Sequence, residues 1–488
     1  MLDSVLTIIP VLFPVLTGAG LLTFRFKERK TLYFWVAGIV ILNALAALLM
    51  IFTHGAEPFV LFSFTDTLAF VFRVDSLSAF FGTMVSILWV LTTFYAFEYM
   101  KHEGHEQRFF AFFIMAFEVV LGLAFAGNMF TLYVFYEFLT LSTIPLVMHH
   151  AMDGKARHAG KTYIIYMMAG ASLAFIGFIF ICLYGGNELF TLGGTLDPML
   201  VKGNEELLRF VFLLTFLGFG VKAALFPFSH WLPAASVAPT PVTALLHAVA
   251  VVKSGIFAMI RLTYFSFGTE LISGSWEQSF LLILAMITIL YGSIMALRTP
   301  HIKRRFAYST ISNLSYIIFG ILLCTPQGMS AALLHLIYHA LIKITLFFAA
   351  GAILYKTHKE YIYEIGGLAR KMPIVFGCMA VASFGLIGVP PFAGFFSKWA
   401  LATAAVDSGN PLAYVGVMVL ILSALLTALY CISLLVKAYF PPKGEQAEGH
   451  DPNWLMCTPL IILSAATILV ALYPQPLLQA INLIAGIS

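Results

Sequence analysis

Long runs of apolar residues, cut by short clusters of charge or by Gly, Pro and Asn, extend along the whole chain. A bilayer core of roughly 30 Å needs about 20 apolar residues per helix, and fourteen segments meet that need. They fall at about 5–24, 31–53, 76–97, 109–127, 129–148, 161–184, 207–229, 242–264, 278–297, 306–324, 329–355, 374–402, 411–436 and 454–475. No charge occurs between Glu277 and Arg298, between Asp407 and Lys437, or after Asp451. The alternation of polar and apolar positions that marks a membrane β-barrel is absent. The pattern therefore predicts an all-α polytopic membrane protein of about fourteen transmembrane helices.

Composition agrees. Hydrophobic residues make up 61% of the 488 and charged residues 10%, where a soluble chain carries about 25% charged. A soluble multidomain enzyme, a disordered regulator and a nucleic-acid binder are excluded, and a net charge of +4 is too small to argue for nucleic acid. The five cysteines, Cys182, Cys324, Cys378, Cys431 and Cys457, are scattered without a CxxC pair, which argues against disulfides, an iron–sulfur cluster or zinc. No GxxxxGK[ST] loop is present, so direct ATP use is not expected. The chain is expected to carry no cofactor and no catalytic site of its own; any coupled redox chemistry would belong to another chain.

Loops after odd-numbered segments hold nineteen Lys and Arg, against three (Arg73, Lys202, Arg209) in the others. Basic residues stay on the cytoplasmic side, so both termini are expected to face away from it. The remaining five basic residues, Lys222, Lys253, Arg261, Lys343 and Lys398, lie within the spans, with the acids Glu118 and Glu137. A charge at the bilayer centre costs about 2.5–3.5 kcal/mol even on the lenient insertion scale, and such residues mark ion pathways. Arg261 stands near a helix end, where it is expected to snorkel to the interface and to tolerate Ala.

Glu118 and Glu137 lie nine and ten residues from the Gly127-Asn128 turn, which puts both at one depth. Two carboxylates so placed cannot both be cheaply ionised; either can be a neutral, hydrogen-bonded residue between helices or a partner of a lysine. In the eleventh segment His335, His339 and Lys343 follow at i, i+4 and i+8, one face with three protonatable groups over about 12 Å, as a proton wire requires. Proline removes the donor for the carbonyl four residues back. Pro227 follows Lys222 by five residues, and Pro390 and Pro391 precede Lys398, freeing the carbonyls of Ala223, Leu386 and Ile387. Helices 7 and 12 are thus expected to be broken, each beside a buried lysine, the sequence pointer to repeated transport units.

The stretch Phe226-Pro227-Phe228-Ser229-His230-Trp231-Leu232-Pro233, continuing as Ala238-Pro239-Thr240-Pro241-Val242-Thr243-Ala244-Leu245-Leu246-His247, resembles the signature of the antiporter-like subunits of respiratory complex I, Mrp-type sodium/proton antiporters and membrane-bound hydrogenases. Gly388-Val389-Pro390-Pro391-Phe392-Ala393-Gly394-Phe395-Phe396-Ser397-Lys398 resembles its second hallmark. The resemblance covers residues 75 to 440. It implies N-terminal helices 1–3 (1–108), two inverted five-helix repeats (helices 4–8, 109–264; helices 9–13, 278–436) and a C-terminal helix 14 (454–488). It also implies a Glu137–Lys222 ion pair, a central axis of His247, Lys253, His335, His339 and Lys343, and an exit at Lys398. It assigns no role to Glu118.

The same resemblance implies proton movement in a prokaryotic inner membrane, with H+ and a monovalent cation such as Na+ as transported ions. The partners would be other membrane subunits in the lipid bilayer, and no nucleic acid. The expected reading is a subunit of a multi-subunit cation/proton antiporter; the alternative is the proton-pumping limb of a complex I-like oxidoreductase or hydrogenase. The chain stops thirteen residues after its last segment, which resembles the shorter members and the Mrp D subunit. Residues Tyr136 to Thr143 differ from the pattern of a standard complex I subunit.

Overall fold

The computed structural model describes residues 2–487 apart from 25, 54–56, 66–67, 151, 186–188 and 442–447. Arg25 and Lys443, two of the basic residues weighed for orientation, lie outside the described residues. The chain runs α1 (Leu2–Thr23), α2 (Arg29–Thr53), β1 (Phe59–Ser63), β2 (Ala69–Phe72), α3 (Ser76–Tyr99), α4 (Glu106–Ala124), α5 (Met129–Val147), α6 (Gly154–Gly185), α7 (Pro198–Val201), α8 (Glu205–Lys222), α9 (Trp231–Ala234), α10 (Thr240–Ala248) and α11 (Val251–Ile260). It continues as α12 (Thr269–Ile272), α13 (Trp276–Arg298), α14 (Ile302–Leu322), α15 (Pro326–Thr357), α16 (Pro373–Ile387), α17 (Ala393–Asp407), α18 (Pro411–Tyr439), α19 (Trp454–Leu472) and α20 (Gln475–Ala485).

Among the described residues ten helices are long and apolar enough to cross a membrane. Every predicted segment coincides with a helix or a pair of helices, but the fourteen-span count is not reproduced by that criterion. For three of the four the reason is visible in the sequence: α14 opens on Lys303, Arg304 and Arg305, α8 opens on Glu205 and Glu206, and segment 12 is split; of the first helix only Ile9–Thr23 counts, which is too short. Side-chain caps set several starts: Asn128 accepts from the Thr131 amide at 2.9 Å, Ser275 from Gln278 at 3.2 Å and Thr325 from Gly328 at 3.1 Å.

Three features depart from the sequence reading. An antiparallel hairpin, β1 with β2, covers the α4–α5 turn, where Gly127 donates to the Val71 carbonyl at 2.8 Å. The eighth segment is not continuous, because α10 stops at Ala248 and Leu245 O accepts from both Val249 (2.9 Å) and Ala250 (2.8 Å) before α11 resumes. An additional helix, α20, follows the last predicted span.

The 32-residue α15 occupies the centre: it packs against α3, α10, α14, α16, α17 and α19. Close approach elsewhere rests on glycine. A Cβ at Gly292 on α13 would stand 2.6 Å from the Ser312 amide of α14, so these two helices meet backbone to backbone.

Arg261 corrects the snorkelling expectation. It is fully buried at the start of a π-helical turn, Arg261–Phe267, and its guanidinium makes a fork to Asp75 at 2.6 and 2.7 Å. Ser78 Oγ accepts a third bond at 2.9 Å, and the rings of Phe190, Phe257 and Phe265 surround the cation at 4.8 to 5.1 Å. Asp75 also caps α3 by accepting from the Ser78 amide at 2.9 Å. Burial alone would raise the Asp75 carboxyl, but the Arg261 charge and its hydrogen bonds outweigh that and bring it down to about 2.

Two outcomes are expected. Arg261→Ala should lower stability by about 3 kcal/mol, the lower end for a broken buried pair because Asp75 keeps some exposure, seen as a fall in Tm of the detergent-solubilised protein; an unchanged Tm would contradict the tie. Because the folded pKa of Asp75 is depressed, its contribution is complete above the ordinary value of 3.8 and is lost as pH falls from there toward about 2. Asp75→Asn should abolish that acid-dependent part of the melting profile.

Candidate functional site

Lys222 is the last residue of α8, 1% exposed, where the helix ends five residues before Pro227. Its ammonium donates to the backbone carbonyl of Tyr136 on α5 and stands 3.3 Å from the centre of the Tyr136 ring. The ion pair with Glu137 implied by the family resemblance is not formed in this arrangement, and Glu137 Oε1 is buried without a hydrogen-bond partner. The reason is rotational. Successive residues of a helix point about 100° apart; Tyr136 is wholly buried and meets Phe219 of α8 ring to edge at 5.1 Å, while Glu137 is turned to a half-buried position beside it.

The middle of the site is built by α10, α11 and α15. Lys253, fully buried on α11, shares a hydrogen bond with Nδ1 of His339 on α15. His247, fully buried on α10, stacks on Phe347 of α15 at 4.5 Å, and neither of its ring nitrogens has a partner. On an unbroken helix residues 247 and 253 would point about 120° apart. The interruption at Val249–Ala250 removes that constraint, and both side chains meet α15. Gly255 allows α11 to pass close to Lys222, since a Cβ there would stand 2.8 Å from the Ala223 amide.

The expected face of α15 is present: His335 (3% exposed), His339 (1%) and Lys343 (0%) line one side, with the two imidazoles 6.1 Å apart. His335 Nδ1 bonds Ser397 Oγ at 2.9 Å and its ring stacks on Tyr316 at 5.3 Å. Lys343 donates to the Phe306 carbonyl at 3.1 Å and to Ser309 Oγ.

Lys398 answers the helix break directly. From the second turn of α17 it reaches back and donates to the carbonyls of Leu386 (2.8 Å) and Ile387 (2.9 Å). These are the two that Pro390 and Pro391 deprive of helical donors. They also form the C-terminal, electronegative end of α16. The first break is resolved differently: Trp231 Nε1 takes the Val221 carbonyl at 2.8 Å, and the Phe226 amide donates to Thr288 Oγ1 at 3.1 Å.

Glu118 is 2% exposed with Oε2 unpartnered, and it joins none of these contacts. The sequence reading missed Tyr136, Ser309, Tyr316 and Ser397; only Ser397, beside Lys398 in the quoted motif, carried a local signal. Near the start of α10, a cavity of about 620 Å³ is lined by Glu103, Asp153, His301, Lys303, Glu360 and the segment from Ser236 to Pro239.

A helical membrane protein with a buried succession of protonatable amines and imidazoles is the class that fold and site define. A family model described as NADH:quinone oxidoreductase/Mrp antiporter, TM, matches residues 126–427, and one described as NADH-Ubiquinone oxidoreductase (complex I), chain 5 N-terminus, matches 63–110. The chain belongs to the NADH:quinone oxidoreductase/Mrp antiporter transmembrane family.

The chain is 31% identical over 471 residues to a probable K(+)/H(+) antiporter subunit of Rhizobium meliloti, covering 94% of this chain and 46% of that one. It is 31% identical over 425 residues to the NADH-quinone oxidoreductase subunit N of Desulforudis audaxviator, covering 83% and 82%. It thus spans about half the length of the first of these relatives and most of the second. A chain of the Mrp complex from Dietzia sp. DQ12-45-1b superposes with a TM-score of 0.85 at 22% identity, covering 100% of this chain and 97% of that one, which shows a shared fold.

Tyr136→Phe should leave stability unchanged or slightly raised, because ring and carbonyl are kept and the hydroxyl is buried without a partner. Tyr136→Leu removes the ring under a desolvated cation and should cost about 2 kcal/mol or more. Thermal unfolding of the two variants in detergent checks this, and equal losses would refute the cation–ring contact.

Proposed function

We propose that this chain is a proton-translocating subunit of a multi-subunit monovalent cation (Na+)/proton antiporter. The observation that carries the reading is the uninterrupted burial of Lys222, Lys253, Lys343 and the three histidines within a bundle whose two helix breaks both lie beside a lysine. A packing role gives no reason for so many ionisable groups at membrane depth. Two inverted five-helix repeats, 109–264 and 278–436, with 1–108 and 454–488 flanking them, provide the frame in this reading. Both termini face the non-cytoplasmic side of a prokaryotic inner membrane, and the partners are further membrane subunits.

The mechanism is charge switching. Lys222 moves between Glu137, which holds it as an ammonium, and the Tyr136 carbonyl and ring, where it stands here. Without the counter-charge the ammonium gives up its proton more readily, and the proton moves by way of Lys253 and His339 toward His335, Lys343 and Lys398. His247, with two unpartnered nitrogens, is a further proton acceptor on this axis. Glu118 is a further proton-holding group in reserve of this axis.

The second reading, a proton-pumping subunit of a complex I-like oxidoreductase, is favoured by one observation: at the same 31% identity the chain covers 82% of the NADH-quinone oxidoreductase subunit N and 46% of the K(+)/H(+) antiporter subunit.

Lys222→Ala and Glu137→Ala should each abolish ion-coupled proton movement in proteoliposomes while the complex still assembles; full transport in either would refute the switch. Mass spectrometry of the complex isolated from native membranes separates the two readings. Small membrane-embedded partners without cofactors are expected, and iron–sulfur or nickel subunits would replace the antiporter by the redox machine.

A further inference from the structure

Between α13, α14 and α18 lies a group of hydroxyls that the lysine–histidine axis does not use. Ser293, Ser312 and Ser423, each 0 or 1% exposed, form a closed ring of hydrogen bonds at 2.7, 2.9 and 3.2 Å. The approach that Gly292 permits between α13 and α14 brings the first two together. Three buried hydroxyls that satisfy one another would suffice for packing, but further hydroxyls flank these on α14 and α18.

On α14, Ser309, Ser312 and Tyr316 share one face at i, i+3 and i+7, a rise of about 10 Å. Ser309 receives the Lys343 ammonium, and Tyr316 donates to the Leu420 carbonyl at 3.0 Å with Ser423 beside it. On α18, Thr427 donates to the Ser423 carbonyl at 2.8 Å. Tyr430, its hydroxyl buried without a hydrogen-bond partner, stands next to both Thr427 and Ser309. At the far end the Lys398 amine lies 5.5 Å from the centre of the Tyr316 ring.

We infer that these hydroxyls are a second proton path, which joins Lys343 to Lys398 along α14 and α18 beside His339 and His335 and carries most of the protons that pass between the two lysines. The inference rests on the reading of the chain as a proton carrier. A hydroxyl accepts one proton on a lone pair and releases its own. Lys343 gives a proton to Ser309, which turns from the Phe306 carbonyl and passes its own hydrogen to Tyr430. Tyr430 turns toward Thr427, Thr427 from the Ser423 carbonyl to the Ser423 hydroxyl and Tyr316 from the Leu420 carbonyl to Lys398, so that each of them and the serine ring gain one proton and lose one. Lys398 swings from its two carbonyls to the Tyr316 hydroxyl and takes the last, so that Lys343 ends neutral and Lys398 protonated with no change in oxidation state.

The test uses the intact complex in proteoliposomes with an internal pH dye, comparing Ser312→Thr/Ser423→Thr with Ser312→Val/Ser423→Val. Thr and Val have the same shape, so disturbed packing affects both pairs alike and only the hydroxyl separates them. The Thr pair is expected to move protons within about twofold of its parent and the Val pair at least fivefold more slowly than the Thr pair. Equal rates in the two would overturn the path. Ser312→Ala/Ser423→Ala, which adds no bulk, should also be at least fivefold slow, and an unchanged rate would overturn the path even if the larger side chains prevent assembly. Lys222→Ala run in parallel keeps the failures apart: if it still transports, the carrier reading falls, and if it is inactive while the Thr and Val pairs agree, only the hydroxyl path falls.

Discussion

Removing an ammonium from water is the constraint on which this architecture turns. Lys222, Lys253, Lys343 and Lys398 lie in an apolar bundle, and an uncompensated charge there would cost several kcal/mol. Each is given something in place of water: a carbonyl and a ring for Lys222, an imidazole for Lys253, a carbonyl and a hydroxyl for Lys343, two carbonyls for Lys398. Lys398 alone takes carbonyls that a helix break has freed. The Tyr136 and Phe306 carbonyls lie within α5 and α14 and receive the ammonium on their second lone pair, so one lysine is accommodated by helix irregularity and two by carbonyls of regular helices.

The two breaks solve the problem in opposite ways. Lys398 is held by its own broken helix, within twelve residues of chain, and its position is fixed locally. Lys222 ignores the carbonyls of its own break, one of which the Trp231 indole occupies, and reaches across to α5. A lysine tethered to a separate helix responds to any sliding of α5 against α8, whereas one tethered to its own break does not. That difference suits Lys222 to a gating position and Lys398 to a terminal one.

Arg261 has a different part. Its fork to Asp75, its bond to Ser78 and its aromatic surround fix the guanidinium and leave Nε without a partner; it joins α11 to the start of α3. With α15 touching α3 as well, the helix that carries Lys253 and the helix that carries its imidazole partner are both referenced to α3.

The sequence alone determined what depends on neighbours along the chain. Apolar run length marked the helices, proline spacing located the two breaks and named the carbonyls they free, and the i, i+4, i+8 rhythm of His335, His339 and Lys343 put them on one face. Contacts between residues far apart in the chain were decided only by tertiary packing. Arg261 looks like a snorkelling residue because its acid is 186 residues away; that Lys222 stands on the Tyr136 carbonyl and ring in this arrangement depends on the rotation of α5, which sequence does not record. The serine ring draws one hydroxyl from each of three helices, and no single segment shows more than an ordinary buried serine. Local order was legible because backbone geometry repeats every few residues; the choice of partner was not, because it is made by how whole helices rotate and approach.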